Sequence, residues 1–168
     1  MPAPVLYRPA AAADQAAITA LIREAGINRM SLKWPNFLLA VDAVSGAVVA
    51  TGQIKTHGDG SRELASIATR PAYQRRGIAG EIIRRLIAQD AAVSAAPLYL
   101  TCVSAMGPFY APFGFRAVGP AEMPPYFRRL QRLVRVMYFF ARPDGQLLVM
   151  RRDQAAPPPV TAPPPSPR

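Results

Sequence analysis

The sequence is poor in the residues that build disulfide frameworks and metal centres. Its 168 residues include one cysteine, Cys102, and one histidine, His57. A single cysteine cannot form an intramolecular disulfide, and one histidine and one cysteine far apart in sequence give little support to a zinc site. The composition therefore predicts no metal site and a reducing compartment, with the cytoplasm as the expected location.

Long hydrophobic runs and a recognisable leader are also missing. The first residues, MPAPVLYRPAAAADQAA, have neither a basic segment nor a sustained apolar core, so no signal peptide is predicted. The longest apolar stretch, 133–141, is interrupted by Arg135 and is too short to span a bilayer. No membrane partner is therefore expected.

Acidic residues are scarce relative to basic ones. The chain has 20 Lys and Arg against 10 Asp and Glu, a formal net charge of +10. This balance favours anionic partners, and both a nucleic acid and a phosphorylated cofactor satisfy it. No run of consecutive basic residues exceeds two, so a disordered nucleic-acid-binding arm is not expected and nucleic acid is the less favoured partner.

Length and composition predict one globular domain followed by a tail. About half of the residues are hydrophobic, enough for a sizeable core. The last twelve residues, PPPVTAPPPSPR, hold seven of the nineteen prolines and show no apolar periodicity. We predict a folded domain over 1–152 and a proline-rich, disordered tail over 153–168.

Hydrophobic periodicity predicts a mixed α+β fold with about six or seven strands. Asp14 is the expected N-cap of the first helix, and Phe127, Leu130, Leu133, Val134 and Met137 form the apolar stripe of the last. Strands are predicted at about 5–8, 37–41, 47–55, 63–69, 97–102 and 147–151, and helices at about 14–25, 75–89 and 127–137. The run PFYAPFGF over 108–115 is predicted to be a short helix that turns into a further strand.

The segment over 63–90 has the order expected of an anion site. Pro71 ends an apolar strand, because it has no N–H to donate, and the loop Gln74-Arg75-Arg76-Gly77-Ile78-Ala79 then opens directly into an amphipathic helix. Unpaired N–H groups and the positive end of the helix dipole meet there, which favours a phosphate or pyrophosphate. The short loop pattern is common by chance, so the flanking strand and helix carry the prediction.

The same segment resembles the central motif of the GNAT superfamily of acyl-CoA-dependent N-acyltransferases, Q/R-x-x-G-x-G/A, matched by Gln74, Gly77 and Ala79. A second match follows, since PFYAPFGF resembles the superfamily's F-Y-x-x-x-G-F signature. The resemblance covers roughly 5–118 and implies a central, mostly antiparallel, twisted sheet flanked by helices. One departure is Val103, which stands where relatives commonly have an asparagine.

The resemblance implies that acetyl-CoA is the acyl donor and that an amine is the acceptor. In the superfamily the loop amides hold the pyrophosphate, the preceding strand pairs with the pantetheine arm, and a bulge frees a backbone N–H, here near Thr69, to polarise the thioester. The residues implied to bind the cofactor are Ile67, Ala68, Thr69, Gln74, Arg75, Arg76, Gly77, Ile78, Ala79 and Gly80.

Two residues are candidates for proton transfer. Glu63 matches the position of a glutamate base in relatives; the alternative is an exposed strand-end residue paired with Arg62 or another arginine. Tyr110 matches the tyrosine that protonates the leaving thiolate, and the alternative is aromatic packing beside Phe109 and Phe113. The motif favours the acid role for Tyr110, while both interpretations of Glu63 stay open.

The remaining reactive side chains are expected to be structural. Cys102 shares a strand face with Leu98 and Leu100 and is predicted to pack in the core rather than to carry an acyl group. His57 is predicted to be a solvated turn residue, with acceptor binding as the alternative. The arginines of the last helix are predicted to form a solvated face.

The sequence predicts an N-acetyltransferase that works by direct attack in a ternary complex. The competing class is a binding module on the same fold, either an acyl-CoA sensor without turnover or a basic nucleic-acid-binding domain. The acceptor is expected to be held by the first helix, the segment 30–36 and the C-terminal region. The sequence does not define the acceptor or the oligomeric state, a homodimer included.

Overall fold

Seven strands form one sheet in the order β1-β2-β3-β4-β5-β7-β6. The computed structural model describes residues 4–28, 30–138 and 146–154. All neighbouring strands are antiparallel except β4 and β5, so the predicted mixed α+β class and mostly antiparallel sheet are confirmed. The strands are β1 (Val5–Pro9), β2 (Phe37–Asp42), β3 (Val48–Thr56), β4 (Arg62–Thr69), β5 (Leu98–Val103), β6 (Arg116–Ala117) and β7 (Leu147–Arg152); the helices are α1 (Gln15–Glu24), α2 (Ile78–Val93), α3 (Gly107–Tyr110) and α4 (Pro125–Tyr138).

One predicted helix start is confirmed and another differs from the structure. Asp14 is the N-cap residue of α1, as predicted, although its side chain has a different role. The carboxylate of Asp14 does not cap α1; it accepts hydrogen bonds from Arg8 and from the N–H of Ala11 instead. Helix α2 begins at Ile78 rather than near 75, because Arg75 and Gly77 have φ angles of 60° and 76°. This left-handed conformation cannot continue into a right-handed helix.

The helices divide the two faces of the sheet between them. Helix α2 packs against one face, where Ile82 and Ile83 are fully buried in the larger apolar core. Helix α1 buries Leu21 on the opposite face against β2 and β3, and α4 buries Phe127 on that same face against Tyr99 of β5. Between α1 and α4, the same face of the sheet carries polar side chains. No helix in the described ranges is long and apolar enough to cross a membrane.

The predicted apolar stripe of helix α4 is buried to different extents. Phe127 is fully buried, whereas Leu133, which belongs to the same apolar stripe, is 58% exposed. Arg128, Arg132 and Arg135 are exposed, as predicted. The side chain of Met137 lies outside the described part of the structure.

Strands β4 and β5 diverge soon after they begin. Their parallel pairing consists of Arg62 with Leu98 and Glu63 with Tyr99, although β4 continues to Thr69 and β5 to Val103. Beyond these pairs the ladder between β4 and β5 has a gap, which we call the cleft. The backbone groups that face the cleft are therefore not used by the β4–β5 ladder.

The narrow end of the cleft is closed by a buried ion pair. Asp90 of α2 is buried and binds the guanidinium of Arg62, and Gln154 donates a second hydrogen bond to it. Asp153 pairs with Arg151. The first two residues of the predicted tail thus contact the domain, and the rest of that tail lies outside the described residues.

Gly52 of β3 allows α2 to approach the sheet. A Cβ at this position would lie 2.6 Å from Ile82 Cγ2, 2.7 Å from Ile67 Cδ1 and 2.9 Å from Leu86 Cδ1. These distances are shorter than van der Waals contact, so a side chain here would force these neighbours or the helix to shift. Close packing of α2 on β3 requires glycine at this position.

We expect Gly52→Ala to destabilise the fold by about 1–3 kcal/mol, because the added methyl overpacks a rigid interface. Urea denaturation followed by circular dichroism measures this change. Gly119→Ala is the matched control, since nothing lies within 4 Å of its Cβ position and its φ is −83°. It should change stability by less than about 0.5 kcal/mol. Equal stability of the two variants would contradict the packing argument.

Candidate active site

Strand β4 carries one extra residue at the cleft. Ser66 and Ile67 lie together opposite Gly52, because the register to β3 shifts between Ala65 and Ala68. Such a two-against-one bulge leaves part of the ladder unpaired. The bulge expected near Thr69 is therefore placed earlier, and Thr69 itself pairs regularly with Ala50.

Two buried polar residues of β3 hold the bulge in place. Ser66 has a left-handed φ of 57°, which costs energy for a residue other than glycine. Thr51 Oγ1 donates to the carbonyl of Ser66 at 3.0 Å, and Gln53 Nε2 donates to its hydroxyl at 2.8 Å. Both partners are fully buried, so these bonds are made away from water.

The N-terminus of α2 opens at the far end of β4 without a cap. Gly77 is the N-cap residue, and as a glycine it has no side chain to cap the helix. The N–H groups of Ile78, Ala79 and Gly80 belong to the first helical turn, where no intrahelical acceptor exists. Nothing lies within 4 Å of a Cβ at Gly77, so glycine is needed here for its φ of 76°.

The polar side chains of the loop take different directions. Gln74 Nε2 donates to the carbonyl of Thr69 at 3.0 Å, which ties the loop to the end of β4 rather than leaving the amide free. Arg75 is exposed, and the guanidinium of Arg76 lies over the ring of Tyr73 at 4.9 Å. The helix end thus carries two arginines beside its open N–H groups.

The two sequence motifs meet in space. A Cβ at Gly80 would lie 3.4 Å from Cζ of Phe113, so the second motif packs onto the first turn of α2. Tyr110 stands in this contact region, edge-on to Phe109 at 5.0 Å and near Phe115 at 6.3 Å. Burial, with a smaller effect of Cys102, raises the pKa of Tyr110 to about 12. The phenol is therefore fully protonated at any physiological pH.

Glu63 is buried on the sheet face between α1 and α4. Its Oε2 lies 2.8 Å from Nε2 of His57, and its Oε1 accepts a hydrogen bond from Thr101 Oγ1 at 3.1 Å. Arg62 points to the opposite face and binds Asp90. The interpretation of Glu63 as an exposed residue paired with an arginine is therefore wrong.

His57 is not the solvated turn residue that was predicted. Its side chain is 12% exposed, and its ring stacks on Tyr126 of α4 with centroids 3.5 Å apart and planes 13° from parallel. The turn between β3 and β4 brings it back to Glu63, while α4 covers it from the other side. The prediction failed because its cover comes from a residue far away in sequence.

Comparison with known families identifies the domain. Residues 33–117, about half of the chain, match the family model of the acetyltransferase (GNAT) domain. The chain belongs to the GNAT acetyltransferase family. The family and enzyme class predicted from the sequence, an acyltransferase, are thereby confirmed. No curated protein sequence matches the chain significantly.

Solved structures show the same fold. N-acetylglutamate synthase from Neisseria gonorrhoeae, complexed with coenzyme A and N-acetyl-glutamate, is 22% identical with a TM-score of 0.71; the match covers 91% of this chain and 36% of the synthase. Rv2747 from Mycobacterium tuberculosis, in complex with CoA and NLQ, is 18% identical with a TM-score of 0.68, covering 89% and 99% of the two chains. The chain thus spans about a third of the synthase's length.

The thiol of Cys102 is half-buried in this GNAT domain. It packs against the α2-side core, and its Sγ lies 3.8 Å from Sδ of Met150. Burial raises the pKa of the Cys102 thiol, which lowers its thiolate fraction at neutral pH. The predicted packing against the core is confirmed, with the side chain half-buried. No group of three His, Cys, Asp or Glu within the described residues is arranged to hold a metal ion.

Sequence reasoning missed Thr51, Gln53, Thr101 and Tyr126. Thr51 and Gln53 do leave a signal, because two polar residues interrupt an otherwise apolar central strand. Thr101 and Tyr126 leave none, since only the tertiary fold brings them to Glu63 and His57.

We expect the Cys102 thiol to react with iodoacetamide more slowly than free glutathione at pH 8, because its raised pKa and its packing both suppress the thiolate. As the only cysteine in the chain, it gives an unambiguous readout by mass spectrometry. Unfolding in urea should remove the difference. Alkylation of the folded protein faster than glutathione would contradict this account of the thiol.

Proposed function

We propose that this GNAT domain transfers an acetyl group from acetyl-CoA to a primary amine of a small molecule, by direct attack in a ternary complex. One observation carries the proposal. The cleft between β4 and β5 has a backbone bulge at its side, an uncapped helix N-terminus at its open end and a buried carboxylate near its closed end. Coenzyme A is present in the structural relatives named above.

The proposed donor site uses main-chain groups for most of its contacts. The pyrophosphate binds the N–H groups of Ile78, Ala79 and Gly80, with Arg75 and Arg76 as counter-charges. The pantetheine arm enters the cleft and pairs with the open edge of β4 over 67–69. The bulge directs an N–H at the thioester oxygen, where negative charge develops during attack.

The proposed reaction needs three proton transfers. An amine acceptor is mostly protonated at neutral pH, so Glu63 first takes a proton from its ammonium group, directly or through one water. The amine nitrogen then attacks the thioester carbon, the N–C bond forms and the C–S bond breaks. Tyr110 donates its hydroxyl proton to the departing sulfur, and the second proton that the nitrogen loses on becoming an amide restores the Tyr110 hydroxyl. Because burial raises the pKa of Tyr110 to about 12, the phenol keeps its proton until charge develops on the departing sulfur, and the proton released by the nitrogen makes the overall transfer favourable.

The acceptor is proposed to bind on the sheet face that Glu63 shares with α1 and α4. The segment 30–36 contributes to this face, since Lys55 Nζ donates to the carbonyl of Met30 at 3.0 Å. Relatives were solved with N-acetyl-glutamate and with L-arginine, so amino acids belong in any first set of acceptors. A cytoplasmic location is part of the proposal, in keeping with the single cysteine.

The experiment that tests this function combines binding with turnover. Acetyl-CoA affinity is measured by calorimetry, and release of free CoA thiol is then followed with amino acids, polyamines and aminoglycosides as acceptors. Saturable binding with amine-dependent thiol release supports the proposal. Binding without release from any acceptor favours an acyl-CoA sensor, and absence of binding contradicts the donor site.

We expect Gly77→Glu to abolish acetyl-CoA binding, because it places bulk and negative charge where the pyrophosphate would lie. Calorimetry measures the loss. Gly26→Glu is a matched control, since Gly26 also has a positive φ of 66° and open space around its Cβ position. That variant should carry the same backbone strain and retain its affinity. Normal affinity in Gly77→Glu would contradict the assignment of the loop.

We expect Tyr110→Phe to lower kcat by about 10²-fold and to leave acetyl-CoA affinity nearly intact, since the ring packing is kept and only the proton donor is lost. Steady-state kinetics with the best acceptor measures this. Tyr99→Phe, which removes a buried hydroxyl 3.5 Å from the carbonyl of Glu122, is the control and should retain turnover. If Tyr110→Phe kept the turnover of wild type, Tyr110 would not be the proton donor and its role would be packing alone.

A further inference from the structure

The imidazole of His57 is held on three sides. Its Nε2 lies 2.8 Å from Oε2 of Glu63, its face stacks on Tyr126 at 3.5 Å, and the edge of Phe127 lies 5.6 Å away at 87°. A ring confined by two aromatic rings has little freedom to turn. Its direction toward Glu63 is thus fixed by packing.

A second set of contacts holds Tyr126 in place. The N–H of Tyr126 donates to Asp59 Oδ2 at 2.8 Å, which joins the first turn of α4 to the β3–β4 turn. Burial opposes ionisation of Asp59, but hydrogen bonds from Ser61 and from the N–H of Tyr126 outweigh it and lower its pKa to about 2. The contact is therefore a charge-assisted one at neutral pH.

The donor direction between His57 and Glu63 follows from chemistry. An ionised carboxylate accepts hydrogen bonds and cannot donate them, so the ring nitrogen that faces it must carry the proton. Thr101 donates to the other carboxylate oxygen at 3.1 Å. Glu63 is consequently held in one orientation by two donors, while Lys55 and Tyr126 are the other ionisable groups near it.

We propose that His57 is the positioning residue for Glu63: its Nε2–H holds the carboxylate toward the acceptor amine, and α4 holds His57. This rests on the proposed function, in which Glu63 takes the amine proton. His57 touches neither the acceptor nor acetyl-CoA and does not itself relay the proton. The C-terminal helix thereby becomes part of the catalytic site, although it carries none of the sequence motifs.

The test compares three substitutions by steady-state kinetics and calorimetry. His57→Ala should lower kcat by about 10- to 100-fold with acetyl-CoA affinity unchanged, because a misdirected base is a poor one. His57→Gln should restore most of the loss, since its amide also donates a hydrogen bond. Added imidazole should partly rescue His57→Ala by filling the space on Tyr126. Arg132→Gln, on the exposed side of α4, is the control and should match wild type.

A readout independent of turnover separates this proposal from the proposed function. His57 is the only histidine in the chain, so its ring N–H gives a single downfield proton signal in NMR spectra. We expect slow exchange of this signal in wild type and its loss in Glu63→Gln and Tyr126→Ala. The signal supports the pairing even if no tested amine is acetylated.

Two outcomes would overturn the proposal. One is turnover of folded His57→Ala within about twofold of wild type, which is below the effect of a misplaced base. The other is a His57→Gln variant as slow as His57→Ala, which would mean that hydrogen-bond donation to Glu63 is not what His57 supplies. A failure of acetyl-CoA to bind wild type would instead contradict the proposed function and leave the NMR result unaffected.

Discussion

One extra residue in β4 is the constraint on which the rest of the site depends. It forces Ser66 into a left-handed conformation opposite Gly52, and that strain persists only because Thr51 and Gln53 hold Ser66 from the neighbouring strand. Gly52, which lies opposite the bulge, also lets α2 lie close against the sheet. The bulge and the approach of the helix are therefore coupled through a single glycine.

The two faces of the sheet differ in polarity. The α2 side is an apolar core, whereas the side between α1 and α4 presents a row of polar groups that includes Thr51, Gln53, Lys55, Glu63 and Thr101. Burial lowers the pKa of Lys55, and the nearby charge of Glu63 acts in the opposite direction. Such a row is costly to bury without a purpose. Binding of the acceptor on this face, as proposed, would provide a purpose for these polar groups.

The sequence predicted the parts of this structure that depend on local pattern. The strands, the open loop before α2 and the core position of Cys102 follow from alternation, from proline and glycine, and from one apolar strand face. The position of the bulge did not follow, because a strand pattern does not show where the ladder to its neighbour slips. The surroundings of His57 did not follow either, since Tyr126 reaches it only after α4 folds back over the sheet. Leu133 shows the same limit, because periodicity marks an apolar side of a helix but not how far the packing extends.

The open backbone groups of the cleft give the most direct test of the account. Amide hydrogen–deuterium exchange, measured with and without acetyl-CoA, reports on Ile67 at the bulge and on Ile78, Ala79 and Gly80 at the start of α2 at the same time. The account predicts that acetyl-CoA slows exchange at both places, while the exposed side of α4 is unchanged. Protection at α4 alone, or binding with no protection of either cleft segment, would contradict it.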